Sequence, residues 1–153
     1  MISSSKGPPP PGPLVLGLGC ERGTPPGEVI ALAEKALAQA GADKANIGFV
    51  ASLDARRGEP AILAAANHFA AEARFFDAAT LEAVAPRLQN PSAIVFAHTG
   101  CHGVAEGAAL VGAGPASVLL VAKITTSHAT VAIAGPAELR PASEPAVLAV
   151  AAP

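Results

Sequence analysis

Aromatic residues are scarce in the 153-residue chain, which has no Trp, no Tyr and five Phe. The core must therefore be built largely from Ala, Val, Leu and Ile, whose small side chains let helices and sheets pack closely. Charged residues are also few, at 14%, and a net charge of -2 provides no broad positive field for a phosphate backbone. We therefore expect no nucleic-acid partner.

Cysteines and long apolar runs are scarce as well. Cys20 and Cys101 cannot form a disulfide framework, and we expect both to be free thiols in a reducing compartment. Gly, Pro and charged residues interrupt every apolar stretch before it reaches the roughly 18 residues that a membrane span needs. The chain starts MISSSKGPPPP, which lacks the apolar segment of a secretory signal. These absences predict a cytoplasmic protein with no membrane partner.

The two ends of the chain differ in composition from the middle. Residues 1–13 are mainly Ser, Gly and Pro, and residues 135–153 are rich in Pro and Ala, so we interpret the first as a disordered tail and the second as a C-terminal tail. The length allows one domain with a single core. We place that domain at residues 14–134.

Apolar runs and helical spacing alternate along this domain. Residues 29–40 have helical spacing and end at Gly41, and shorter helices are predicted to begin near Pro60 and Val104 and, with Thr80 as the N-cap, near residue 80. Residues 90–97 combine β-branched residues with an Asn-Pro start, and we favour a helix over a strand there. Five strands are predicted at residues 14–18, 47–53, 73–76, 118–124 and 129–134. The pattern predicts an α/β protein, a three-layer α/β/α sandwich with a mainly parallel, mixed sheet ending in an antiparallel hairpin.

A glycine-rich loop, GLGCERGT at residues 17–24, joins the first strand to the first helix. Ligands of open α/β sheets bind beyond the carboxyl ends of strands, and the Arg22 guanidinium suits a carboxylate or phosphate. Neither a dinucleotide fingerprint nor a phosphate-binding Gly-Lys-Ser/Thr sequence is present. A tight turn, with Arg22 paired to Glu21 or to solvent, explains the pattern equally well. The ligand-binding residues predicted in this loop are Gly17, Gly19, Cys20, Arg22, Gly23 and Thr24, the last also as the helix N-cap.

A second polar segment, HTGCHGVAE at residues 98–106, contains two histidines and a thiol. Zinc-ligand spacing and a second ligand cluster are missing, so we predict no metal and no cofactor. Cys101 and His102 are candidates for a nucleophile and a base, and Asp54 is a candidate at the end of the second strand. The simpler alternatives are a buried apolar thiol and an ordinary turn residue.

Further ligand-binding candidates lie near the ends of predicted elements. Lys123 belongs to an apolar strand, so its ammonium must reach an edge, a partner or an anion. Glu106 lies in the first turn of its helix, where the helix dipole alone could explain it. We predict ligand contacts for Gly100, Gly103, Glu106 and Lys123, and we consider Arg56 and Arg57 as carboxylate receivers.

Several motifs together resemble one known family. They are the glycine-rich loop at residues 17–24, ASLD at 51–54, RFF at 74–76, GVAEGAAL at 103–110, LVAK at 120–123 and ATVAIA at 129–134. Their order and spacing are similar to the C-terminal domain of the cobalamin-biosynthesis protein CbiG, and the length is similar to that of its free-standing, CobE-like members. The resemblance covers nearly all of residues 14–134.

The resemblance implies an α/β/α fold and a role in the aerobic pathway to cobalamin, vitamin B12. The ligand it implies is a precorrin or other corrinoid intermediate, a flat apolar ring with a rim of acetate and propionate groups. Cationic side chains and helix N–H groups would bind that rim. The expected function is binding or chaperoning of this intermediate, and other enzymes of the pathway are possible further partners. The alternative is a hydrolase-type enzyme that acts on a lactone or acyl group at the precorrin-5 stage.

Overall fold

The computed structural model describes residues 12–139, which form a five-stranded sheet and five α-helices. In chain order the elements are β1 Leu14–Cys20, α1 Pro26–Ala40, β2 Ile47–Leu53, α2 Pro60–His68, β3 Glu72–Phe76, α3 Ala78–Glu82, α4 Ala93–Thr99, α5 Val104–Ala113, β4 Val118–Thr125 and β5 Ala129–Gly135. Most of the two predicted tails, residues 1–11 and 140–153, lies outside the described residues. All five predicted strands are present, and the helix favoured for residues 90–97 is confirmed as α4.

The strands are arranged in the order β3-β2-β1-β5-β4. β1, β2 and β3 pair in parallel, whereas β5 is antiparallel to both of its neighbours, β1 and β4. β4 therefore runs in the same direction as β1, and β5 is the single reversed strand of this sheet. As a consequence, the carboxyl ends of four strands and the β4–β5 turn share one edge. The predicted mixed sheet with a terminal hairpin is confirmed.

Helices cover both faces of the sheet. α1 and α2 pack against each other and against one face, where Leu16, Leu18 and Val131 belong to the same buried cluster. α5, with α3 beside it, packs on the opposite face, where Val15 and Ala51 are buried. Successive residues of a strand point to opposite faces, which explains why neighbouring residues of β1 enter different clusters. The result is the predicted three-layer sandwich.

The close contact between α5 and β1 is possible because residue 17 of β1 is a glycine and has no side chain. A Cβ atom on Gly17 would lie 2.0 Å from the Ala105 carbonyl oxygen and 2.9 Å from the Ala109 Cβ atom. Ala105, Ala108 and Ala109 are all buried, so α5 presents only methyl groups to the sheet. α5 therefore occupies the space beside Gly17, where the sequence predicts that a ligand binds.

Two predicted helix caps are wrong. The Asp77 side chain caps α3 by accepting a hydrogen bond from the Thr80 amide at 2.8 Å, so Thr80 lies inside the helix. At α1 the N-cap is Pro25, without a side-chain bond, whereas the buried Thr24 hydroxyl donates to the Glu21 carbonyl at 2.6 Å. Thr24 therefore lies one residue before the N-cap, and within residues 12–139 its hydroxyl accepts no amide hydrogen of α1.

α4 is a short helix on the outside of the sandwich. The Ser92 hydroxyl accepts from the Val95 amide at 3.2 Å, and Gly100, with φ of 85°, ends the helix in the left-handed region. None of the seven α4 residues is buried. Among the helices of residues 12–139, none is by itself long and apolar enough to cross a membrane, although α4 and α5 meet that criterion as a pair bent by 77°.

Candidate functional site

A cavity of about 420 Å³ opens at the sheet edge where β1 and β4 end and β5 begins. β2 and β3 lie on one side of β1, and the two later strands, β5 and β4, lie on its other side, so the strand order reverses at β1. Open α/β sheets bind ligands at such switch points, beyond the carboxyl ends of strands. Of the ligand-binding residues predicted from sequence, Gly19, Cys20, Gly103 and Lys123 line this cavity.

Basic side chains dominate the charged lining of the cavity. Arg56 and Lys123 contribute to it, and so do two histidines, His98 and His128, while Glu21 is the one carboxylate in the lining that residues 12–139 form. The Arg56 Nε group donates to the Cys20 carbonyl at 2.7 Å, and the rest of its guanidinium has no partner within residues 12–139. Such a lining favours an anionic ligand.

Lys123 lines the cavity at an irregular point of the edge strand β4. The register of β4 against β5 shifts between Val121 and Ile124, and the Lys123 amide bonds outside the β4–β5 ladder. That amide donates to the Glu106 carboxylate at 2.8 Å instead. Irregularities of this kind redirect side chains near functional sites. Within the described part of the chain, the Lys123 ammonium forms no ion pair.

Glu106 is a structural residue beneath the cavity wall and does not line it. Its side chain is 1% exposed and accepts four hydrogen bonds, from the amides of Gln89, Asn90 and Lys123 and from the Asn90 side chain. Burial alone would raise the pKa of this carboxyl, but these hydrogen bonds outweigh it and the net pKa lies below 4.5. Glu106 thus fixes the backbone of Lys123, and its own oxygens are fully engaged.

The outer wall of the cavity is apolar and belongs to α4. Ile94 and Val95 line the cavity, and Ile94 is 74% exposed. Val104, the first residue of α5, extends the same apolar lining. A ligand that fits here must therefore combine an apolar surface with anionic groups.

The glycine-rich loop is held internally. The Gly23 amide, at a φ of 79°, donates to the carboxylate of Glu59 at 3.0 Å, and Glu59 is 6% exposed. The Thr24 amide donates to the Glu21 carbonyl. Arg22 is exposed, has no ion pair within residues 12–139 and does not line the cavity. The amides of Gly23 and Thr24 are thus already bonded within the protein.

The three catalytic candidates from the sequence are not brought together. Asp54 is exposed at the start of a short 3-10 helix, Asp54–Arg56, outside the cavity lining. Cys101 is 0% exposed and lies in the core cluster around Leu81. His102 points to another partner, because its Nδ1 atom lies 2.8 Å from a Glu82 carboxylate oxygen. Gly100 is also outside the lining, as the left-handed end of α4.

The two thiols should differ in reactivity. We expect Cys101 in the native protein not to react with a soluble disulfide reagent, because its side chain is inaccessible. We expect Cys20 to react slowly at neutral pH, since burial first and the Glu59 charge second raise its pKa above 9.0 and leave little thiolate. The absorbance of the thiolate that the reagent releases, recorded before and after denaturation, measures the reactivity of both cysteines. Rapid native modification in a Cys20→Ser variant would contradict the buried position of Cys101.

Sequence reasoning missed three residues of this region, His128, Glu28 and Glu59. Glu28 lies 3.1 Å from the His128 Nδ1 atom although the two are 100 positions apart in the chain. Glu28 is in the first turn of α1, which is the one local signal that could have drawn attention to it.

The comparison with known families gives a direct result. Residues 14–134 match the family described as cobalamin synthesis G C-terminus. The chain belongs to this family. The match spans every strand and α-helix of the sandwich except the last residue of β5, so the cavity lies within the part that the family shares.

Two individual proteins and a solved structure are also similar to the chain. Protein CobE of Sinorhizobium sp. is 72% identical over 127 residues, which cover 83% of this chain and 82% of that protein. The crystal structure of CobE, a protein from the cobalamin (vitamin B12) biosynthetic pathway, matches at a TM-score of 0.75 with 36% identity, covering 87% of this chain and 96% of that one. A cobalt-precorrin-5A hydrolase of Priestia megaterium is 29% identical over 121 residues, which are 79% of this chain but 32% of that protein.

Proposed function

We propose that the cavity binds a carboxylate-bearing precorrin or corrinoid intermediate of cobalamin biosynthesis and holds it between enzymatic steps. The observation that carries the proposal is the position of Lys123, a lysine at an irregular point of the edge strand β4 that lines the cavity without a carboxylate partner within residues 12–139. An ammonium in this position favours an anionic ligand, and the rim of a corrin ring consists of carboxylates.

The shape and lining of the cavity support this ligand class. Arg56 and Lys123 supply cationic groups, and Ile94 and Val95 supply an apolar wall. A volume of about 420 Å³ lies within the usual range of ligand sites, and a larger tetrapyrrole would extend from the open side along α4. The exposed Ile94 side chain would then pack on the face of the ring.

A binding role fits the site better than hydrolysis by the residues first considered. Asp54, Cys101 and His102 do not line the cavity, and Cys101 is inaccessible. The hydrolase relative has about two thirds of its length outside the matched segment. The alternative of a lactone or acyl hydrolase therefore has no support from those three side chains.

Titration with hydrogenobyrinic acid, a metal-free corrin with free carboxylates, tests the proposal. We expect a saturable absorbance change below about 100 µM ligand, and weaker binding of a corrin whose carboxylates are amidated. We expect Lys123→Met, which keeps the apolar stem and removes the charge, to weaken binding about tenfold. Isothermal titration calorimetry checks both values.

A matched variant and a competing site complete the experiment. Lys44 is exposed just before β2, at the opposite edge of the sheet, so Lys44→Met should bind as the unmodified protein does. Arg22→Ala tests the loop position predicted from sequence. Loss of binding in Arg22→Ala with full binding in Lys123→Met would show that the ligand lies on the loop and that the cavity assignment is wrong.

A further inference from the structure

A carboxylate–imidazole pair lies at the rim of the cavity. The His128 Nδ1 atom is 3.1 Å and 3.3 Å from the two carboxylate oxygens of Glu28, and the His128 amide donates to the same carboxylate at 3.1 Å. The Thr126 hydroxyl also donates to Glu28. Hydrogen bonds from Thr126 first and His128 second lower the pKa of Glu28, so the partner of the imidazole is a carboxylate.

This arrangement fixes which ring nitrogen is left for a ligand. A carboxylate can only accept, so Nδ1 carries the proton and Nε2 of the neutral ring has a free lone pair. Within residues 12–139, Nε2 of His128 makes no hydrogen bond, and His128 lines the cavity. A carboxylate that holds the Nδ1–H group of an imidazole in this way is the usual arrangement of an acid–base histidine.

Two other histidine–glutamate pairs in the described part of the chain provide a contrast. His68 pairs with Glu34 on the exposed surface of α1 and α2, and neither residue lines the cavity. His102 pairs with Glu82, and its ring is stacked on Phe96 at a centroid distance of 4.4 Å, also outside the lining. Among the three pairs, the one whose histidine belongs to the cavity lining is Glu28–His128.

We propose that His128, oriented by Glu28, transfers protons to and from the tetrapyrrole bound in the cavity, an inference that rests on the proposed function. The Nε2 lone pair accepts a proton from a ring C–H or N–H bond, and the electron pair of that bond stays on the conjugated ligand. Glu28 balances the charge of the imidazolium. Return of the proton at another ring atom completes a tautomerisation that needs no oxidant, reductant or second substrate.

Deuterium exchange into a bound corrin measures this proton transfer. Hydrogenobyrinic acid is incubated in D₂O with and without excess protein, and deuterium on its ring carbons is followed by mass spectrometry. We expect the protein to accelerate exchange at one or more ring positions by at least about tenfold. His128→Gln should reduce exchange to the rate of the free ligand, and Glu28→Gln should reduce it while the imidazole remains. His68→Gln is the matched control and should exchange as the unmodified protein does.

Binding is measured in the same samples, so the possible failures are separable. If the unmodified protein does not bind the corrin, the proposed function itself is wrong. If it binds the corrin without accelerating exchange, or if His128→Gln binds and accelerates exchange equally well, the acid–base role of His128 is overturned and the binding function stands. Circular dichroism confirms that each variant is folded.

Discussion

Glu106→Ala should lower the free energy of unfolding by roughly 3 kcal/mol. The substitution leaves three backbone amides without their acceptor, those of Gln89, Asn90 and Lys123. It also removes the link that joins the segment before α4 to β4 through α5. Urea denaturation followed by circular dichroism measures the loss, which corresponds to a melting temperature lower by roughly 10 °C.

The pH dependence of this contribution has a definite sign. The pKa of Glu106 is lowered in the folded protein, because its hydrogen bonds outweigh the effect of burial. A carboxyl group whose pKa is lowered on folding contributes stability that is fully present above its ordinary pKa of 4.5. This contribution is lost as the pH falls through the folded-state pKa. The difference in stability between the unmodified protein and Glu106→Gln should therefore be constant near neutral pH and shrink below about pH 4.5.

An exposed carboxylate on a helix is the matched control for Glu106. Glu34 lies on α1 and is 55% exposed, so Glu34→Ala should change the free energy of unfolding by no more than about 0.5 kcal/mol. If Glu106→Ala is as stable as Glu34→Ala, the four hydrogen bonds that Glu106 accepts do not stabilise the fold. Because Glu106 also fixes Lys123, Glu106→Gln should bind the corrin more weakly than the unmodified protein does.

Gly17→Ala should destabilise the fold by about 3 kcal/mol, although it adds one methyl group. The new Cβ atom would meet the Ala105 carbonyl oxygen at 2.0 Å, and a backbone atom can move away only if α5 shifts as a whole. Such a shift displaces Gly103 and Val104, which line the cavity. We therefore expect weaker corrin binding together with the loss of stability, measured by urea denaturation and calorimetric titration.

Gly27→Ala gives the comparison at a position with free space. A Cβ atom on Gly27 would meet nothing within 4 Å, and Gly27 lies in the first turn of α1. Alanine has the higher helix propensity, so this variant should be as stable as the unmodified protein or more stable by up to about 1 kcal/mol. If Gly17→Ala and Gly27→Ala have the same free energy of unfolding and the same affinity for the corrin, α5 does not pack closely on Gly17 of β1.

Much of the candidate site could not be predicted from sequence because its contacts are distant along the chain. The sequence singles out Lys123 as a charged residue in an apolar strand, and the structure places it in the cavity lining, but nothing local in the sequence indicates the irregularity of β4 at this point. Arg22 was selected on its guanidinium, whereas the structure leaves it exposed outside the cavity. Cys101 and His102 are adjacent in sequence, yet one side chain is buried in the core and the other pairs with Glu82.

The sequence by itself determined the order of strands and helices, the α/β class and the close packing of an alanine-rich core, because these follow from periodicity and composition within short windows. Only the tertiary structure decided which polar groups meet. Glu59 reaches the Gly23 amide across 36 positions, and Glu28 reaches His128 across 100. These contacts depend on the strand order and on which helix covers which face of the sheet, and the local spacing of residues predicts neither of them.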